Sequence, residues 1–209
     1  LSRLELLEGI GGSITALVSA TGGDVFSGLS PNENLIGGDA IAGARVVAEG
    51  AVELNISADG GRGGAGVEGR GGRAEVVEAY GASLSGEKVK IAVVQRAGTA
   101  ELGSGDIPDG SSTLSSLVNV ANGDTVGELS LYQFAGSSGL GEKSISQSIL
   151  EKSGSFSFLS LTSEARGGLA NSVGSAENQS GSVLLKAFAV GKTASSTAVG
   201  TTYGDDHTV

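Results

Sequence analysis

The 209-residue chain has no cysteine, no tryptophan and no methionine, and its one histidine is His207. Without cysteine it can form no disulfide, no thiol nucleophile and no thiolate metal site. A Ser-His-Asp arrangement would have to be built around His207, beside Asp205 and Asp206, and no Gly-x-Ser-x-Gly pattern in a strand-to-helix context accompanies it. We therefore assign no catalytic residue and expect a protein that is not an enzyme.

Basic residues and long apolar runs are also scarce. Thirteen Lys and Arg residues against 23 Asp and Glu residues give a net charge of -10, so nucleic acids and anionic membrane surfaces would meet net repulsion. No stretch reaches the roughly 18 consecutive apolar residues of a membrane-spanning helix. The glycine-rich segments GSGDIPDG and GSSGLG lack the Lys-Ser/Thr of a phosphate-binding loop. We predict no nucleic-acid partner, no membrane span and no bound nucleotide.

Small residues are abundant instead. Glycine accounts for 37 of 209 residues, and the hydrophobic 39% is mostly Ala, Val and Leu, with only 4% aromatics. This composition favours a thin, regular core of small side chains over an ordinary enzyme core.

A degenerate glycine-phased repeat runs through the chain. Apolar residues fall two and four positions after Gly50, Gly127, Gly154 and Gly181, and one place later after Gly86. Because a period of two is typical of a strand that buries one face, we predict one shared core column. Its members are Val52, Leu54, Val89, Ile91, Leu129, Leu131, Phe156, Phe158, Val183 and Leu185.

The segment GSFSFLSLTSEARGG, at 154–168, shows this unit in its shortest form. Its alternation slips by one residue between Phe158 and Leu159, which predicts a strand with a bulge. A weaker run precedes each glycine origin. The spacing of Ile145, Ile149 and Leu150 also fits a helix face, but the Ser, Thr, Val and Gly content favours strands for most of these runs.

The predicted fold class is all-β, with an elongated repeat architecture and glycine-rich joins. The join lengths permit either a β-solenoid or stacked β-hairpins. Residues 1–10 are expected to form an N-terminal apolar arm or cap, either a helical turn or a segment that docks on another copy. Residues 11–200 form a single β-rich repeat domain of about five or six units, and residues 201–209 form a C-terminal tail. Because the chain begins at Leu1, we expect a processed product or a piece of a longer chain.

Two glycine-rich segments and several acidic residues are expected in loops. Glycine recurs every third residue over 60–72, a spacing typical either of polyproline II packing or of a flexible loop. A second loop is predicted over 103–112. Asp106, Asp109 and Asp124 are candidate calcium ligands, although turn chemistry also explains such residues. Calcium is the one cofactor that the sequence suggests.

The alternation in GGDAIAGARVVAEGAVELNISADGGRGG and NVANGDTVGELSLYQFAGSSGLG resembles the Gly/Ala/Ser-rich degenerate repeats of large secreted bacterial surface proteins. The resemblance covers nearly the whole chain and implies a β-solenoid or stacked-hairpin rod that serves as an adhesin stalk, surface fibre or matrix subunit. The stretch KAFAVGKTASSTAVG also resembles one copy of the head repeat of trimeric autotransporter adhesins.

These observations lead to three functional hypotheses. The first is a structural protein, secreted or on the bacterial cell surface, that self-associates into a filament, adhesin stalk or biofilm matrix. The second is a monomeric β-solenoid that binds cell-surface glycans or ice. The third is a β-helix polysaccharide lyase or epimerase that uses paired carboxylates. We favour the first because the glycine-phased apolar pairs recur without any catalytic constellation.

Overall fold

The structure, a computed structural model, describes residues 2–9, 12–25, 36–64, 70–99, 114–137 and 144–203. Every regular element in these ranges is a β-strand, so the all-β prediction is confirmed for them. The strands are β1 (Ser2–Gly9), β2 (Ile14–Thr21), β3 (Ala40–Ala48), β4 (Val52–Asp59), β5 (Ala74–Ser83), β6 (Val89–Ala97), β7 (Leu114–Val118), β8 (Ala121–Asp124), β9 (Glu128–Ser137), β10 (Ile145–Gly154), β11 (Phe158–Arg166), β12 (Leu169–Asn178), β13 (Ser182–Val190) and β14 (Thr193–Thr202).

These strands form two layers. One layer is a six-stranded sheet in the order β2-β4-β6-β9-β11-β13, and the other contains two four-stranded sheets, β1-β3-β5-β8 and β7-β10-β12-β14. All pairings between named strands are parallel. Because sheet neighbours are separated by one complete pass of the chain through both layers, the alternative of stacked antiparallel hairpins is wrong for the described strands.

Two sequence predictions about local structure are corrected. Residues 2–9 form a strand that pairs with β3, from Ser2 opposite Ala42 to Gly9 opposite Ala48, so the helical turn predicted there is wrong. The run that contains Ile145 is strand β10, and its helical alternative is wrong as well.

The core of the six-stranded sheet consists of inward-facing columns in continuous register. The first two columns hold the bulkiest side chains. They are Ile14, Val52, Val89, Leu129, Leu159 and Val183, and then Ala16, Leu54, Ile91, Leu131, Leu161 and Leu185. All twelve are buried or partly buried. The apolar pairs of four of the five predicted units therefore lie in these columns.

The assignment of Phe156 and Phe158 to the core column is wrong. Phe158 pairs with Glu128 and Ser182 and faces outward, while Leu159 and Leu161 occupy the column positions. Phe156 is buried but precedes the strand. The predicted bulge is absent from β11, whose register with both neighbours is unbroken.

The fourth inward position is alanine on every strand of the six-stranded sheet except β6, where it is Gln95, and the two layers converge accordingly. The third and fourth inward columns end in alanine at β13, and glycines follow β2, β4 and β6. There the backbones of the two layers bond directly: the N–H of Gly38 donates to Gly23 O, that of Gly61 to Gly38 O, and that of Gly72 to Gly61 O, each at 2.8 Å. A Cβ at Gly61 would overlap the carbonyl of Gly23. Part of the glycine-rich segment at 60–72 is thus tightly packed backbone.

The second layer is divided because one pass of the chain changes neighbours midway. β7 pairs with β10, whereas β8, only two residues later, pairs with β5. Between them Asn119 has a φ of 51°, in the left-handed region that asparagine tolerates better than most residues. We call the resulting discontinuity, between β5 and β7 and between β8 and β10, the seam.

Candidate functional surfaces

The predicted calcium ligands are not brought together by the described structure. Asp106 and Asp109 lie outside the described residues, as does His207, and Asp124 is an exposed residue at the end of β8. No group of three or more His, Cys, Asp or Glu side chains that could hold a metal occurs within the described ranges.

Gln133 spans the seam from the opposite layer. Its Oε1 accepts hydrogen bonds from Val120 N at 3.0 Å and Ala121 N at 3.2 Å. Its Nε2 donates to Leu117 O at 3.1 Å and to Ile149 O at 3.0 Å. The side chain is fully buried, and it satisfies backbone groups at the point where β7 ends and β8 begins.

Gln95 has the same role on the other side of the seam. Its Oε1 accepts from Val76 N at 2.9 Å, and its Nε2 donates to Ser115 Oγ at 3.2 Å. The sequence reading missed both glutamines. Their signal was a polar residue in the apolar phase of a strand, as in LSLYQFA, where Gln133 follows Leu129 and Leu131 at a spacing of two.

Buried serines form a second polar network between the layers. Ser163 Oγ donates to Ser148 O at 2.9 Å, and Ser172 Oγ donates to Ser163 O at 2.8 Å. Every buried side-chain nitrogen or oxygen in the described residues has a hydrogen-bond partner. The core is therefore hydrogen-bonded as well as apolar where the layers lie close together.

Asn178 organises the turns that connect the layers near the C-terminal end. It is fully buried, and its Oδ1 accepts from Phe156 N at 3.0 Å while its Nδ2 donates to Phe156 O at 3.0 Å and to Ser182 O at 3.2 Å. The turn from β10 to β11 is thus fastened to the turn from β12 to β13.

A groove of about 480 Å³ opens where β8 and β10 separate. Its lining includes Tyr80, Val126 and Phe156, with Asp124 as its one carboxylate. A glycosidase needs two carboxyl groups that flank the scissile bond. The lining of this groove does not supply that pair.

The outer side of the six-stranded sheet carries the most distinctive exposed chemistry. Tyr132, Phe134, Phe158 and Phe188 all face outward from β9, β11 and β13, and we call these four residues the aromatic face. They are four of the seven aromatic residues within the described ranges. Phe188 is 50% exposed.

Polar groups lie among these rings. The Tyr132 hydroxyl donates to Glu164 Oε2 at 3.2 Å, and the Arg96 guanidinium lies 5.5 Å from the centroid of the Phe134 ring. Partial burial and then the negative charge of Glu164 raise the pKa of Tyr132 to about 12. The phenol therefore remains a neutral hydrogen-bonding group across the physiological pH range.

The part of the same outer face formed by β4 and β6 is covered by ion pairs instead. Lys90 Nζ lies 2.8 Å from Glu53 Oε1, and Arg96 Nη1 lies 2.9 Å from Asp59 Oδ1. These side chains are largely exposed, so each pair contributes little stability. The aromatic face thus gives way to a zwitterionic surface.

The terminal strands leave open sheet edges. Among the described strands, β13 pairs only with β11, β14 pairs only with β12, and β2 pairs only with β4. Leu185, Ala187 and Ala189 continue the inward columns but are only partly buried, and β14 is exposed over most of its length. These edges present unpaired backbone donors and acceptors together with unfinished apolar columns.

No helix in the described ranges is long and apolar enough to cross a membrane. Comparison with protein-family models gave no match, and comparisons with curated proteins and with solved structures gave none either.

Proposed function

We propose that this chain is a structural segment of a β-solenoid, secreted or displayed on a cell surface, that joins other copies into a filament or matrix. The observation that carries the proposal is the pair of open edges at opposite ends of the same parallel sheet. Each pass of the chain through both layers forms one coil. Each coil adds one strand to the six-stranded sheet and therefore one residue to every inward column.

The dimensions of the six-stranded sheet indicate that an extended rod would have to come from the association of several copies. Six strands at about 4.8 Å span roughly 29 Å along the stacking direction, while a nine- or ten-residue strand spans roughly 30 Å. The six-stranded sheet is therefore about as long as it is wide. A long rod requires more coils, which further copies would supply.

The inward columns of the two edges continue one another, and two of the four would pair a large residue with a small one. If β13 of one copy continues the sheet with β2 of the next, the column register places Leu185 against Ala16 and Ala187 against Val18. A large side chain meets a small one in both cases, as it does in a well-packed interior. Such a head-to-tail contact does not close on itself, so it generates filaments.

Replacing Ala187 with lysine tests this contact. Ala187 faces inward on the edge strand, so an ammonium group there would have to be buried when a second sheet docks. We expect wild-type protein to show concentration-dependent growth by light scattering and fibres by electron microscopy. The Ala187→Lys variant should remain monomeric at the same concentrations, with an unchanged circular dichroism spectrum.

Leu184→Lys is the matched control, because Leu184 is the outward, 43% exposed residue on the same strand. It adds the same charge without occupying an inward column, and we expect it to assemble. A wild-type protein that stays monomeric at high concentration contradicts the proposal. So does equal assembly of wild type and Ala187→Lys.

A further inference from the structure

We propose that the aromatic face is a binding surface for a linear neutral polysaccharide whose sugar rings stack on Tyr132, Phe134, Phe158 and Phe188. This inference does not depend on the edge contact. The rings lie on the outer side of the sheet, whereas assembly involves the unpaired edge and the inward columns.

The first argument is the location of the aromatic residues. The core is built from Ala, Val, Leu, Ile and hydrogen-bonded polar residues, and Phe156 is its one aromatic member within the described ranges. The outward rings contribute nothing to that core. Phe188 in particular keeps half of its surface in water. Tyr132, Phe134 and Phe158 are partly buried, so each still presents some surface to water. Aromatic rings gathered on one outer face are typical of a recognition surface.

The second argument is the polar groups between the rings. The register places Thr162 beside Tyr132, and Glu164 between Phe134 and Phe188. A sugar ring presents apolar C–H groups on its faces and hydroxyls around its edge, so it needs flat apolar surfaces with donors and acceptors beside them. A protein partner is better matched by a patch with a continuous, desolvated apolar centre.

The spacing of the rings suits an extended polymer. Phe134 and Phe188 occupy one row two strands apart, which is roughly 10 Å, and Tyr132 lies two residues before Phe134, which is roughly 7 Å. Rings separated in both directions on one face of a sheet can contact successive sugars of a chain that crosses the strands. A compact monosaccharide would reach only one of them.

The charge on and around the face favours a neutral polymer. Glu164 lies between the rings, and Glu128 forms an ion pair with Lys88 at 2.6 Å. Lys186 and Arg166 occupy outward, exposed positions on β13 and β11. The charges on the face itself therefore roughly balance and offer no net attraction to a polyanion, and the whole chain carries a net charge of -10. A polyuronate would bring further carboxylates to this surface. The hydroxyl of Tyr132, held by Glu164, provides an uncharged hydrogen-bonding group at the same place.

Affinity electrophoresis of the whole chain tests the proposal. Native gels would contain a mixed-linkage β-glucan, a xyloglucan or a galactomannan, and parallel gels would contain alginate. We expect retardation by at least one neutral polymer and none by alginate. Tyr132→Ala and Phe188→Ala should each weaken binding about two- to tenfold, and the double variant by about the product of the two.

Tyr80→Ala is the matched control, because Tyr80 is a partly exposed aromatic residue on the other layer. It should bind like wild type. Circular dichroism and thermal melts would establish that each variant is folded.

Three results would overturn the proposal: no retardation by any neutral polymer, retardation by alginate alone, or full binding by the double variant. If wild type binds no polysaccharide and the double variant loses self-association, the aromatic face is a contact between copies and the proposal is again wrong. Ala187→Lys should bind polysaccharide normally, so this inference and the filament proposal can fail separately.

Discussion

Gln133 provides a direct test of whether the interior is held together by apolar columns alone. The residue lies in the column of Ile56, Val93 and Ser163, and leucine has nearly the same volume as glutamine. If burial of apolar surface were the only contribution to stability at this position, Gln133→Leu would stabilise the protein. We expect the opposite.

The expected loss follows from the backbone groups that Gln133 satisfies. Val120 N and Ala121 N both donate to its Oε1, and leaving each donor unsatisfied costs about 1–3 kcal/mol. Leucine has two more apolar carbons than glutamine, and their burial contributes about 1.6 kcal/mol of stability. The net destabilisation is roughly 0.4–4.4 kcal/mol, and its midpoint of about 2.4 kcal/mol corresponds to a fall of roughly 5–10 °C in Tm for a domain of this size.

The measurement is urea unfolding followed by circular dichroism, together with thermal melts. Gln147→Leu is the control, because Gln147 lies on β10 facing outward and accepts one long hydrogen bond, of 3.4 Å, from Ser116. It should change stability by no more than about 0.5 kcal/mol. A Gln133→Leu variant as stable as wild type would refute the view that this side chain replaces missing sheet hydrogen bonds at the seam.

Three further predictions concern single sites. Gly22→Ala should lower the free energy of unfolding by about 3 kcal/mol or more, because its Cβ would overlap the backbone of the facing layer. Gly23→Ala has open space at its Cβ and should lower it by less than about 1 kcal/mol. Urea unfolding measures both. Asn178→Ala should cost about 2–4 kcal/mol, measured in the same way, because it leaves buried turn amides and carbonyls unsatisfied. Tyr132 should stay protonated at pH 10, and the stability that its raised pKa contributes should be lost as the pH rises from about 10 to 12. In an absorbance titration, Glu164→Gln should lower the pKa of Tyr132. The pKa should fall only in part, because burial is the larger cause of the shift.

The glycine-phased repeat predicted the inward columns well where the alternation was clean. Val52, Leu54, Leu129 and Leu131 lie in the first two columns because a parallel pass places equivalent positions in register. The same rule failed at Phe158. Two apolar runs of opposite phase adjoin there, and only pairing with β9 and β13 decides which of them faces inward.

In β10 the apolar residues of the sequence do not mark the inward face. Ser146 and Ser148 are fully buried, while Ile145 is 41% exposed. The layers have converged at this point, so a hydroxyl can reach the backbone of the opposite layer: Ser148 Oγ lies 3.3 Å from Gln133 O. Hydrophobicity alone would therefore place the wrong residues of β10 on its inward face. The distance between the layers decides the inward residues, and that distance depends on tertiary structure and not on the local sequence pattern.

The repeat pattern did not predict the seam either, although two residues in the sequence indicate it. Gln95 and Gln133 interrupt the apolar phase on two strands that are neighbours in the six-stranded sheet. A buried amide needs backbone partners, and in a regular sheet those partners are already bonded to each other. Two such residues at diagonal positions on adjacent strands therefore predict a discontinuity in the facing layer. The division at Asn119 is that discontinuity.

The small inward residues and the outward aromatic rings have a common consequence for function. Within the described residues the interior is filled by Val, Leu and Ile at one end and by alanine, serine and glycine where the layers converge. We therefore expect recognition on an outer face or at an edge. Inward substitutions such as Gln133→Leu should then change stability without changing affinity for a polysaccharide, beyond the fraction that unfolds. Outward substitutions such as Phe188→Ala should do the reverse. A variant of an inward residue that stayed folded yet lost binding would contradict this separation, and urea unfolding and affinity electrophoresis on the same preparations would reveal it.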